Sequence, residues 1–251
     1  MERNTIIELR KVAVYHSRNP HLNFNKKKSY RGGELVLTDV DLCVGSGELV
    51  YFVGRVGSGK STLLKILYGE IPLVEGQGTV AGFDLGRLKR RDIPRLRRTM
   101  GIVFQDYQLL TDRNVYDNLR FVMRSTGWRD ERSIAGAITD VLKVVGLANK
   151  EYKMPFELSG GEQQRLSVAR ALINNPKVIL ADEPTGNLDP TAADEIMELF
   201  TRIARENCAV IMSTHNIRNI QQFPSRVVRF SQGRVEEIDI RSLLGIPENN
   251  E

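Results

Sequence analysis

Residues 54–61 read Gly-Arg-Val-Gly-Ser-Gly-Lys-Ser. The glycines at 54 and 59, the lysine at 60 and the hydroxyl at 61 fit the spacing G-x-x-x-x-G-K-[ST]. Glycine tolerates a left-handed backbone and has no Cβ, so successive N–H groups can converge on one anion. The apolar run Glu48-Leu49-Val50-Tyr51-Phe52-Val53 before the loop reads as a buried strand. A helix is predicted after it, from Lys60 to about Tyr68, and its N-terminus carries roughly half a positive charge. Strand, loop and helix in this order call for an α/β fold. In it Gly54, Arg55, Val56, Gly57, Ser58, Gly59, Lys60, Ser61 and Thr62 would wrap a row of phosphates. Lys60 would reach the β- and γ-phosphates, and the Ser61 hydroxyl would complete a Mg²⁺ shell.

Two further segments fit the same chemistry. Val178-Ile179-Leu180-Ala181-Asp182-Glu183 is a continuous apolar run, as in a buried parallel strand, ending in two carboxylates. Ligands gather at the carboxyl ends of such strands. Asp182 would hold Mg²⁺ through water, and Glu183 would orient and polarise an attacking water. Ser159-Gly160-Gly161-Glu162 is first of all a capping box. The helix it opens has Leu166, Ala169 and Ile173 on one stripe, with Val168 and Leu172 beside it. Two glycines in a first turn cost about 1 kcal/mol each against alanine. The cap does not explain that cost, whereas bare backbone at a helix N-terminus suits a docking γ-phosphate.

With Leu158 to Arg165 matching its signature motif, and the three elements in its order, the chain resembles the ATP-binding-cassette (ABC) ATPases. The resemblance implies a P-loop ABC nucleotide-binding domain with a RecA-like core, an antiparallel β subdomain and an inserted helical subdomain. It implies ATP and Mg²⁺ as ligands. It also implies a homodimer formed on ATP binding, in which Ser159, Gly160 and Gly161 face the nucleotide of the other copy. Gln105, after Gly101-Ile102-Val103-Phe104, then contacts Mg²⁺ and the lytic water. Asn187-Leu188-Asp189 signals across the dimer, and His215 contacts the γ-phosphate. Taken alone, Gln105 and His215 would read as a surface amide and a histidine capping a strand. An aromatic residue shortly after the first strand, Ile6 to Val14, stacks on adenine in the family; here that is Tyr15, with His16 as the alternative.

A chain of 251 residues, 41% hydrophobic and 27% charged, suits one α/β domain spanning 1–251. Residues 1–104 would hold the β-rich start and the nucleotide core, 105–157 a helical lobe, and 158–251 the return to the core. Helices are predicted from Asn114 to Thr126 and from Asp130 to Val145, and another begins at Asp189-Pro190. Gly245 to Glu251 reads as frayed. No apolar run reaches the roughly 18 residues a membrane span needs, and the N-terminus lacks a secretory apolar core. The expectation is a cytoplasmic protein, peripheral on the inner face of the membrane. Cys43 and Cys208 lie in strand-like apolar runs and are expected to be buried reduced thiols.

The net charge is +5, with seven basic residues between Arg87 and Arg98 and four more between Asn25 and Arg31. These stretches read as solvated surface or as apposition to an anionic inner leaflet, where each basic residue adds about 1 kcal/mol. Without interleaved aromatics or a nucleic-acid motif, no nucleic acid is expected. Within the family, Leu180 to Asp189 resembles the branch of FtsE, lipoprotein-release (LolD-like) and MacB-type export ATPases. Gly86 to Arg91, Ile93 to Arg98 and Asp112 to Leu119 resemble the FtsE-type cell-division ATPases. That resemblance implies an integral membrane FtsX-like partner and control of cell-wall hydrolysis, with a LolD-like or MacB-type system as the alternative. The chain departs from the pattern in its longer, basic 17–32 segment and in Asn216 after His215.

Overall fold

Five consecutive buried residues, Leu49–Val53 (β3), lie inside a six-stranded sheet. The computed structural model describes residues 4–16 and 33–243. The predicted frayed end (245–251), the basic 25–31 run and the 17–32 departure lie outside the described residues.

The sheet joins β3 to β6 (Met100–Val103), β7 (Val178–Asp182), β8 (Ala209–Ser213), β9 (Arg226–Ser231) and β10 (Arg234–Ile238). Its order is β10-β9-β3-β8-β7-β6, parallel throughout except for β10 at one edge. Parallel strands are covered on both faces, which is why β3, β7 and β8 are continuous apolar runs without alternation. Consecutive strands of such a sheet need crossovers, and helices supply them. α1 (Lys60–Leu67) follows β3, and α2 (Ile93–Arg98) leads into β6. α3 (Val115–Ser125), α4 (Glu131–Val144) and α5 (Gly160–Leu172) lie between β6 and β7. α6 (Pro190–Arg205) precedes β8; α7 (Ile217–Gln222) precedes β9, and α8 (Ile240–Leu243) follows β10.

A second sheet is antiparallel, in the order β2 (Glu34–Gly45), β1 (Thr5–His16), β4 (Glu75–Val80), β5 (Phe83–Asp84). Its register shifts around Lys11 and Asp39, both at positive φ (47° and 50°), as bulges require. The alternation it imposes corrects one expectation. Leu42 and Val44 point into the core, so Cys43 between them is exposed; only Cys208 is buried. Burial pushes the Cys208 thiol up to about 12.

The six-stranded sheet separates two apolar clusters. One packs the antiparallel sheet and α1 against Val50, Phe52, Val178 and Leu180. The other runs from Tyr51 and Val53 through Leu166 and Ala169 of α5 to Leu119, Met123 and Ile138 of α3 and α4. Asn114 caps α3 by accepting from Asp117 N at 2.7 Å, and Asp130 caps α4 by accepting from Ser133 N at 2.8 Å. Asn118 is fully buried, and its amide ties Leu110 N and O to the carbonyls of Arg113 and Asn114. β6 and α5 meet at close range: a Cβ on Gly101 would lie 2.5 Å from Ala171 O. The basic stretch from Arg87 to Arg98 forms an exposed turn and α2.

Candidate active site

The loop between β3 and α1 depends on glycine at two points. Gly54 has φ +151°, and a Cβ there would lie 2.5 Å from Phe230 O. Gly59 is the left-handed N-cap of α1 (φ +101°), and a Cβ there would lie 2.9 Å from Val36 Cγ1. Lys60 is only 7% exposed. Its ammonium folds over the loop, donating to Gly54 O at 2.8 Å and Arg55 O at 3.2 Å. The Ser58 hydroxyl is buried with no hydrogen-bond partner. A buried polar atom left unpaired is costly, and a loop holding one suits a ligand rich in acceptors.

The carboxyl ends of β7 and β8 supply the next groups. Asp182 Oδ1 accepts from Ser61 Oγ at 3.2 Å and also from Ser213 Oγ, which ties the first residue after Lys60 to both strands. Ser213 Oγ in turn accepts from Glu183 N at 3.0 Å. Glu183 lies in the left-handed region at φ +48°, sparsely populated for a residue with a Cβ. Its Oε2 stands 3.0 Å from His215 Nδ1. After β6, Gln105 is fastened to the loop before α6. Its Nε2 donates to Asn187 Oδ1 at 3.1 Å, and Asn187 Nδ2 donates back to Gln105 O at 3.1 Å. A Cβ on Gly186 would lie 3.0 Å from Gln105 Nε2, so a bare backbone lets the amide lie there.

One cleft of about 610 Å³ gathers residues 56–62 with Gln105, Asp182, Glu183, His215 and His16. Gly54 and Arg55 line the adjoining hollow beside Phe230. Tyr15, expected to stack on adenine with His16 as the alternative, is not among the residues lining this cleft. The strand turns its hydroxyl to Glu75 Oε2 at 2.8 Å, and His16, next along the chain, lines the cleft instead.

Ser159, Gly160 and Gly161 do not line this cleft. They open α5, where Ser159 Oγ accepts from Glu162 N at 3.3 Å and Glu162 Oε2 accepts from Ser159 N at 2.8 Å. The hydrogen bond from Lys150, then that from Ser159 N, holds the Glu162 carboxyl below its ordinary range. Asp189 is likewise outside the cleft and caps α6, accepting from Thr191 N at 3.0 Å and Ala192 N at 3.1 Å. Asn216 caps α7, accepting from Asn219 N at 3.3 Å. Sequence reasoning missed Ser213 and Gly186. Their only signal was position, one at a strand end and one beside the acidic turn.

A family profile described as ABC transporter matches residues 37–186. The chain belongs to the ABC transporter family. It is 46% identical, over 83% of its length and 90% of the relative's, to the cell division ATP-binding protein FtsE of Streptococcus pneumoniae. It is 41% identical to FtsE of Mycobacterium tuberculosis over 84% of this chain and 91% of that one. FtsE of Escherichia coli is 41% identical, with coverage of 83% and 93%. Among solved structures, cbiO1 of Clostridium perfringens, part of the ABC transporter complex cbiONQ, superposes with a TM-score of 0.82. It is 27% identical and covers 96% of this chain and 91% of its own. The ATP-binding cassette MJ0796, solved as a post-hydrolysis dimer bound to ADP and Pi, gives a TM-score of 0.77 at 29% identity, covering 94% and 99%. The family makes this chain a nucleotide-binding ATPase. Among the described residues no helix is long and apolar enough to cross a membrane.

Proposed function

We propose that this chain is the ATP-hydrolysing cytoplasmic subunit of an FtsEX-like complex, in which an ATP-driven homodimer acts on an FtsX-like membrane partner to license cell-wall hydrolysis. One observation carries the catalytic half: Lys60, Ser61, Asp182, Glu183, Gln105 and His215 share a single cleft. The cellular half is supported by the relatives named FtsE. The whole chain, 1–251, acts as one ABC ATPase domain, with 105–157 as the part that relays nucleotide state.

Lys60 exchanges the carbonyls of Gly54 and Arg55 for the β- and γ-phosphates of ATP, while the N–H groups of residues 57–62 close around them. His16 presents its ring to adenine in the role first expected of Tyr15. Ser61, Asp182 and Gln105 would hold Mg²⁺, and Asp182 Oδ1 already accepts from Ser61 Oγ at 3.2 Å. Among the described residues no three His, Cys, Asp or Glu side chains are grouped to hold a metal. That fits Mg²⁺ carried in on phosphates, which needs only one or two protein carboxylates. When bound, the ion neutralises charge developing on the phosphate oxygens. Glu183 orients the attacking water and takes its proton, and His215 holds that carboxylate through Nδ1. Ser159 to Gly161 of one copy meet the nucleotide held by the other, so losing the γ-phosphate removes the bridge and the dimer relaxes. The exposed basic surface from Arg87 to Arg98 favours an anionic leaflet.

The test is to trap Glu183→Gln protein with ATP in its native cell and identify the membrane subunit that co-purifies in mild detergent. An FtsX-like protein is the expected result. A lipoprotein-release or export permease in its place would overturn the division role and leave the catalytic roles standing.

A further inference from the structure

Two residues beyond Gln105, the chain makes a turn that the site chemistry does not explain. Tyr107 (φ +60°) and Gln108 (φ +48°) are consecutive, neither is glycine, and both are left-handed. Such residues cost on the order of 1–3 kcal/mol each and persist only where their surroundings enforce them. Here the turn's own backbone bonds, Tyr107 N to Phe104 O at 3.3 Å and Gln108 N to Asp106 O at 2.6 Å, are joined by one side chain. Arg170, in the last turn of α5, donates Nη2 to Tyr107 O at 2.8 Å and Nη1 to Gln108 O. Its planar fork meets both carbonyls of the turn at once.

Arg170 is not a surface charge that happens to reach. Burial pushes its pKa down, opposed by the charge of Asp106. The backbone carbonyls of Tyr107 and Gln108 are its hydrogen-bonding partners. A desolvated guanidinium is tolerated only where such bonds are made. The side chain of the same turn also lies near the opposite end of α5. A Cβ on Gly160 would lie 3.3 Å from the Tyr107 hydroxyl. One tyrosine thus has its hydroxyl beside the first residue of the helix and its carbonyl on a side chain of the last turn.

We infer that Arg170 is a positioning residue that couples the two nucleotide sites of the dimer, by tying the turn after Gln105 to the helix that begins at Gly160. Gln105 belongs to the cleft of its own copy. The start of α5 belongs to the cleft of the other, on the dimeric reading proposed above, and the inference rests on that reading. A shift of Gln105 is carried through residues 107 and 108 and the guanidinium into α5, and so to Ser159 facing the second nucleotide. Arg170 touches no nucleotide itself.

The experiment measures ATPase rate against ATP concentration for the full wild-type chain, Arg170→Met and Arg170→Lys, with binding of a fluorescent ATP analogue in parallel. A dimer with two coupled sites shows a Hill coefficient above 1 and at most about 2. The expected result is that Arg170→Met falls to about 1 while analogue affinity stays within threefold. Arg170→Lys, whose ammonium lacks the fork, should fall between. A purely structural role would lower the active fraction and the Tm and leave the Hill coefficient alone. If Arg170→Met does not fold, Arg170→Lys carries the test against wild type. An unchanged Hill coefficient in the folded variants would overturn the inference. Size-exclusion chromatography of Glu183→Gln protein with ATP separates the remaining cases. A dimer there, with a wild-type coefficient of 1, overturns the coupling alone. No dimer overturns the dimeric reading and the coupling with it.

Discussion

Replacing Glu183 by glutamine isolates the chemical step from binding. The side chains are nearly the same size, and the amide still offers an oxygen to His215 Nδ1, now 3.0 Å from Glu183 Oε2. The backbone at φ +48° is equally strained for either residue, so the turn after β7 is retained. What is lost is the ability to take a proton. A positioned general base contributes about 10²–10⁴-fold. At 1.36 kcal/mol per decade, that is roughly 2.7–5.4 kcal/mol of barrier. On the proposed reading the phosphates are held by Lys60, whose ammonium already folds over the loop, and not by Glu183. Nucleotide affinity is therefore expected to stay within about threefold, or to tighten as a negative charge leaves the cleft. Phosphate release at saturating ATP gives the rate, and titration with a fluorescent nucleotide gives the affinity. A variant turning over within threefold of wild type would refute Glu183 as the base. Weakened binding with full turnover at saturation would place it among the binding groups instead.

Ser159→Arg should leave nucleotide binding intact and abolish ATP-driven dimerisation, read by light scattering in the Glu183→Gln background. Ser159→Ala controls for loss of the cap, which costs about 1 kcal/mol. An undiminished Ser159→Arg dimer would sink the role across the interface. The Glu162 carboxyl titrates below its ordinary value of 4.5, because Lys150 and Ser159 N stabilise its charged form. The folded state thus binds fewer protons than the unfolded one. The stability this contributes is present above the ordinary value and is lost as pH falls through the lower folded value. Glu162→Gln should melt below wild type at neutral pH, and the gap should close on acidification below pH 4.5. A gap independent of pH would remove the carboxylate from that role.

The strand, loop and helix around Gly54 to Ser61 were legible because their signal is local: an apolar run, glycines at fixed spacing, and a lysine at a helix start. The capping residues Ser159 and Asp189, and the helix starts at Asn114 and Asp130, were legible for the same reason. What escaped depends on which way a strand turns its side chains, or on contacts far along the chain. Cys43 sits in an apolar run, yet the alternation of β2 exposes it. Tyr15 and His16 differ by one position, and strand direction sends one to Glu75 and the other to the cleft. Ser213 and Asp182 are 31 residues apart and meet only because β7 and β8 pair in register. Arg170, in sequence, is one charge on an amphipathic helix. Its partners, 62 and 63 residues away, have no marker pointing back to it.

The apolar cluster passes without a break from Tyr51 and Val53 through α5 into α3 and α4. Opening the helical segment to solvent would therefore strip apolar contacts from the sheet that carries the phosphate loop. A ligand held by that loop stabilises the closed state by mass action, roughly 2.7 kcal/mol at a hundredfold excess over its Kd. The protection spreads as far as the cluster does. Amide hydrogens around Leu119 and Ile138, both members of that cluster, become remote reporters of occupancy at Lys60.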